Sequence, residues 1–169
     1  HTMFITVDRK GGRTVDDAFE RELAVFLDQF RLAAHDVEIE PPVFVPLDIA
    51  MTVCVLPHHF RDTVRKALLD AFSRADFPSG GRGFFHPDNF TFGRPVYLSR
   101  VISAAMKVPG IRWVAFDGGE TRFRRWGEAP RQELEEGFIA MARLEIARLD
   151  NDPNAPENGR IAFIMEGGL

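Results

Sequence analysis

Histidine is the first place to look for chemistry in this chain, because imidazole serves both as a metal ligand and as an acid–base group near neutral pH. Five are present. His58 and His59 are adjacent, and neighbouring residues on a helix point about 100° apart, so the two are poorly placed to share one ion. His86-Pro87-Asp88 could add an imidazole and a carboxylate, the donor set of a zinc or iron site. Together His58 or His59, His86 and Asp88 are the residues a small metal-assisted hydrolase would use. However, no second His follows at i+4, and neither HExxH nor HxH spacing occurs. His58 and His59 are expected at a helix start and His86 as a loop anchor, with the hydrolase as the alternative reading.

The remaining candidates weaken in the same way. Asp150-Asn151-Asp152-Pro153-Asn154 offers side-chain oxygens at alternate positions, as a calcium loop does, but Ala155 occupies the position that needs Gly and Ile161 the position that needs an acid. Asp and Asn capping their own backbone in a turn is the better account. Gly80-Gly81-Arg82-Gly83 lacks the Lys-Ser/Thr of a phosphate cradle and does not open a helix. Cys54 has no His at an obvious partnering distance in sequence and reads as a small buried thiol. Arg122, Arg124, Arg125 and Trp126 form a basic–aromatic cluster. In an acidic chain, that composition points to a protein contact surface, where Arg and Trp are favoured.

Composition is ordinary for a globular chain, with 45% hydrophobic and 27% charged residues. At 169 residues it suits one domain, 1–169. A net charge of −4 argues against a nucleic-acid partner, which would need a basic face. A single cysteine rules out an internal disulfide and a multi-thiolate metal site. No apolar run approaches the roughly 20 residues that span a bilayer. MFITVDR reads as a strand rather than a leader, and with His1 in first position the chain is expected to be part of a longer protein.

Stepping along the chain, Met3 to Arg9 alternates as a strand. A helix then carries Phe19, Leu23, Phe26, Leu27 and Phe30 at helical spacing, with Thr14 as N-cap and Arg21, Glu22, Asp28 and Arg31 on the solvated side. Asp36 to Glu40 is a second strand. From Val43 to Val55 every second residue is apolar, the pattern of a strand with one wholly buried face, and Pro46 should put that part at an edge or a bulge. Pro57 precedes a second amphipathic helix with Phe60, Val64, Ala67, Leu68, Ala71 and Phe72 on one face. Residues 76–95 are loop-like yet hold five Phe, so they must pack onto the body or a partner. A third helix runs from Val96 to Lys107, and Ile111 to Phe116 reads as a strand. Thr121 to Trp126 reads as its hairpin partner. Glu128 to Ala142 reads as a surface excursion with at most a short helical turn, and Leu144 to Leu149 and Arg160 to Met165 as strands closing the sheet. The order predicts an α+β fold: a mainly antiparallel sheet with helices packed on one face, a ferredoxin-like core with additional C-terminal strands.

Several stretches resemble one family. The tail LEIARLDNDPNAPENGRIAFIMEGGL, the opening FITVDRKGG with VDDAFERELAVFLDQFRLA, and VFVPLDIAMTVCV followed by FRDTVRKALLDAFS are similar to the baseplate J-like, putative baseplate assembly proteins of contractile phage tails and related injection systems. GFFHPDNFTFGRPVYLSRVISAAMKVPGIRWV is the most specific part, with FGRPVYLS leading into a helix and VPG out of it. The resemblance implies the C-terminal part of such a protein, as found in phage tails, prophages and tailocins. It implies a wedge component that forms homo- or hetero-oligomers with other wedge and hub proteins. It would be made in the bacterial cytoplasm and carried in the virion tail or injection particle. The family has no catalytic motif to transfer, so no catalytic residue, metal, cofactor, nucleic acid, membrane or small-molecule substrate is expected. The expected contact residues are Phe84, Phe85, Phe90 and Phe92 of the Phe-rich loop, with Arg122, Arg124, Arg125 and Trp126.

Overall fold

A computed structural model describes residues 2–30 and 36–169; His1 and Arg31, placed above at a chain boundary and on a solvated face, lie outside the described residues. In chain order the elements are β1 (Thr2–Thr6), α1 (Asp17–Asp28), β2 (Asp36–Glu40) and β3 (Val43–Val55). Next come α2 (Arg61–Ala71), β4 (Val96–Tyr97), α3 (Leu98–Met106), β5 (Ile111–Ala115) and β6 (Arg122–Arg125). The chain ends with α4 (Glu133–Glu136), β7 (Phe138–Ile139), β8 (Glu145–Arg148) and β9 (Arg160–Gly167).

The period-two run of β3 becomes the axis of the fold. Its residues Val45, Leu47, Ile49, Met51, Val53 and Val55 enter the core together with Val64, Leu68 and Phe72 of the α2 region and Val101 and Ala105 of α3. Helices therefore lie on one face of the sheet, as the α+β reading expects. The ferredoxin-like part of that reading is refined by the connectivity. On one side of β3 run β6 (Leu47 opposite Arg125 to Ala50 opposite Arg122) and β5 (Thr52 opposite Ala115 to Val55 opposite Ile111), both antiparallel. On the other run β8 and then β9, both parallel to it. Each edge is thus one line of strand broken in two, with residues 116–121 or 149–159 looped out at the break.

Two local expectations change with this arrangement. Thr121 to Trp126 does not fold back on β5 as a hairpin but continues the same edge along β3. Pro46 sits in the central strand rather than at an edge or a bulge. Its carbonyl accepts the Trp126 N–H at 2.9 Å, just past the end of β6, where the N–H that proline lacks is no longer needed by the ladder. Gly159 resumes the strand after the second loop: at φ +97, a Cβ there would lie 2.7 Å from the Arg148 carbonyl oxygen.

The Phe-rich loop packs inward. Phe85 and Phe90 are 3% and 8% exposed, stacked with centroids 5.7 Å apart, and Phe84 lies edge-on to Phe85 at 4.9 Å. Phe84 and Phe92 are partly buried against the same core. Within the 128–142 excursion, α4 is the expected helical turn, but Ile139 and Met141 reach the core and β7 pairs with β4.

β1 and β2 pair in parallel on either side of α1, forming a β–α–β unit outside the main sheet. Asp16, not Thr14, caps α1, its Oδ1 accepting the Phe19 N–H at 2.9 Å. A tie from this unit to the body is the Gly11 N–H, which donates to Asp88 Oδ1 at 2.6 Å.

Candidate protein-contact surface

Period two on β3 puts Asp48, Ala50, Thr52 and Cys54 on the face away from α2 and α3. Asp48 is the anomaly there, a carboxylate only 2% exposed on a central strand. Burying such a charge requires partners, and register supplies them. Arg124 is directly opposite on β6 and Arg160 directly opposite on β9, so Asp48 has a cation on both flanks. Arg122, two residues from Arg124, shares their face. Asp48 Oδ1 accepts from Arg122 Nε at 3.0 Å and Arg160 Nε at 2.8 Å; Oδ2 accepts from Arg124 Nη2 at 3.2 Å. The Arg160 guanidinium also lies over the Trp126 ring, 4.6 Å from its centroid.

Burial pushes the Asp48 carboxyl toward a higher pKa, but the hydrogen bonds and charges of Arg160 and Arg122 outweigh it and hold the value below the ordinary range. Asp48 is therefore ionised at neutral pH. Three guanidinium charges meet one carboxylate, which among the described residues leaves two positive charges unmatched. The arginine side chains keep 26% (Arg122), 30% (Arg124) and 42% (Arg160) of their surface exposed. Each guanidinium has five N–H groups. Among the described residues, bonds within the chain use two of them on each arginine.

Of the eight contact residues expected from sequence, Arg122, Arg124 and Trp126 meet in this cluster. Arg125 points to the other side of β6 and is structural: it donates to both Glu145 oxygens, at 3.1 and 2.6 Å, and to the Ala140 carbonyl. That hydrogen bond pulls the Glu145 pKa down. Phe85 and Phe90 are corrected as contact residues, because rings buried in the core cannot also present a surface to a neighbour; Phe84 and Phe92 pack against the same core but stay half-buried. Asp48 and Arg160 were missed. The available signal was an acid at an inner position of an otherwise apolar strand, which needs cations on adjoining strands.

A second uncovered surface belongs to α1. The helix buries no residue, although Val25, Phe26 and Phe30 lie on or just beyond it at 68%, 55% and 70% exposure. Phe26 and Phe30 contact each other with centroids 5.3 Å apart, and Phe4 of β1 is also exposed.

Two residues of the hydrolase reading, His86 and Asp88, are engaged in other bonds. His86 is buried, its Nδ1 accepts the Asp88 N–H at 3.1 Å, and its Nε2 lies 3.5 Å from Asp76. Asp88 receives the Gly11 N–H and lies 3.6 Å from Arg82, with the backbone bond holding its pKa low. His58 has φ 76 in the turn before α2, and His59 packs over Gly110. Among the described residues, no three His, Cys, Asp or Glu side chains are grouped to hold a metal ion. In the 150–154 turn Asp152 follows the Asx-turn reading, its Oδ1 accepting the Asn154 N–H, whereas Asn151 Oδ1 reaches across to the Ile161 N–H and Asp150 accepts from Arg74 and Arg148. Among the described residues no helix is long and apolar enough to cross a membrane.

Compared with known proteins, the chain matches no family model and no curated protein sequence.

Proposed function

We propose that this chain is a structural module of a contractile-tail or contractile-injection-system baseplate, a wedge assembly component that acts through protein contacts without catalysis. The observation that carries the reading is the β1–α1–β2 unit. An amphipathic helix draws its stability from covering its apolar stripe, and a two-stranded sheet is marginal alone. Here Phe26 and Phe30 of that stripe are left to solvent, while Phe19, Leu23 and Leu27 are half-buried. A neighbouring protein that covers it would complete the unit, which is the behaviour of an assembly part. The sequence resemblance supplies the kind of neighbour, other wedge and hub proteins, and the setting, bacterial cytoplasm during assembly and then the tail or injection particle.

The test is light scattering on a sizing column, for the chain alone and mixed with candidate wedge partners. A defined complex that is lost when Phe26 and Phe30 are both changed to Ser supports the reading. A monomer indifferent to every candidate refutes it.

A further inference from the structure

We propose that the open face of the main sheet binds a short acidic segment of a partner protein, one carboxylate of which is received by Arg122, Arg124 and Arg160 beside the Trp126 ring. The inference rests on the reading of the chain as a contact module and adds the chemistry of one partner.

Neutralising Asp48 requires one cation, and the sequence supplies three on adjoining strands. The surplus stands out in a chain of net charge −4. Guanidinium groups match carboxylates through paired N–H donors, and these three are held in place by Asp48 and by the strands that carry them. Holding them in place lowers the entropic cost of receiving a ligand, because the side chains are ordered before it arrives. The Trp126 ring under Arg160 limits that side chain further.

A cavity of ≈ 420 Å³ beside the cluster is lined by Arg122 and Arg124 together with Phe123, Pro130 and Gln132, though not by Arg160 or Trp126. The same surroundings favour a short acidic peptide over a nucleic acid. Glu133 and Glu135 also line the cavity, and Glu166 follows Arg160 on the same face of β9. A polyanion extending past the three arginines would meet all of these acids, whereas a short segment with one or two carboxylates seated on the arginines meets fewer of them.

The test is fluorescence anisotropy at low ionic strength with a labelled peptide carrying two adjacent glutamates in a Gly/Ser context, and with its glutamine counterpart. The expected result is saturable binding of the glutamate peptide only. Arg160→Gln, at the most exposed of the three arginines, should weaken it about tenfold. Arg65→Gln, on α2 and so on the other side of the sheet, should leave it unchanged. Circular dichroism checks that Arg160→Gln is folded; should it not be, the contrast between the two peptides on the unaltered chain still decides. Equal binding of the glutamine peptide, no saturation, an equal loss in Arg65→Gln, or tighter binding of a single-stranded oligonucleotide of the same charge would each overturn the proposal. A chain that binds the peptide but joins no candidate wedge protein keeps this inference and refutes the baseplate reading. A chain that joins a partner but ignores the peptide does the reverse.

Discussion

Replacing Asp48 with Asn tests whether one carboxylate holds together three arginines from two strands, β6 and β9. The change keeps the volume and one acceptor, but turns the second oxygen into an NH2 group facing guanidinium donors. Removing one partner of a fully buried ion pair costs about 3–5 kcal/mol. Here the arginines are 26–42% exposed and can turn partly to water, so the expected loss is smaller, about 2–3 kcal/mol. In urea unfolding, the midpoint should fall with the slope unchanged, and Tm should drop by roughly 5–10 °C. The sign of the pH dependence follows from the depressed Asp48 pKa. Such a group contributes stability that is fully present above its unfolded value, ordinarily 3.8, and is lost as pH falls through the folded value. The gap between wild type and Asp48→Asn should therefore stay constant from neutrality to about pH 5 and close only below about pH 4. Asp8, whose pKa is raised by burial and by nearby Asp88, acts in the opposite direction but is common to both proteins. A variant within about 0.5 kcal/mol of wild type at pH 7, or a gap that does not close in acid, would refute the reasoning.

Phe85→Ala should cost about 3–5 kcal/mol in thermal unfolding of the isolated chain, because the ring is core; an unchanged Tm would return it to the surface. Phe26→Ser with Phe30→Ser should change stability by less than about 0.5 kcal/mol per site, since both rings are exposed, and light scattering should show loss of partner complexes without unfolding. Gly159→Ala should cost about 2 kcal/mol or more by urea unfolding, because it combines a positive φ with a Cβ pressed against the Arg148 carbonyl. Any complex made through the arginine face should weaken as salt rises, while one made through the α1 face should persist, which sizing at two ionic strengths separates.

Most of the elements were legible because their signals are local. The period of two in β3 and the spacing of Val64, Leu68 and Phe72 each report one buried face, whatever the rest of the chain does. Partner choice was less legible, since it depends on register. Thr121 to Trp126 looks like a hairpin partner for β5 because Gly118-Gly119 sits between them. Yet β3 is long enough at 13 residues to seat both strands in line, and pairing with a buried strand protects more backbone than an exposed hairpin would. The Phe-rich loop was misjudged for a related reason. Gly and Pro mark it as irregular, but irregular backbone can still deliver rings to a core, as Phe85 and Phe90 do. Half of the arginine site was visible as a run of basic residues. The other half was not, because Asp48 and Arg160 are separated by more than a hundred residues and meet only through a parallel pairing.

That pairing explains why three arginines gather here and not elsewhere on the sheet. Both edges of β3 are broken near its middle, and the strands that resume after the breaks begin with arginine: Arg122 opens β6 and Arg160 opens β9. Antiparallel pairing on one side and parallel pairing on the other bring those two beginnings to nearly the same level of β3, at Ala50 and Asp48. Stability alone does not call for this construction. A buried ion cluster replaced by apolar residues of similar volume is often no less stable, and a single arginine would already balance one carboxylate. Asp48 instead gathers more positive charge than it cancels, on the face that α2 and α3 leave open. The reading that accounts for the surplus is a second carboxylate, supplied from outside the chain.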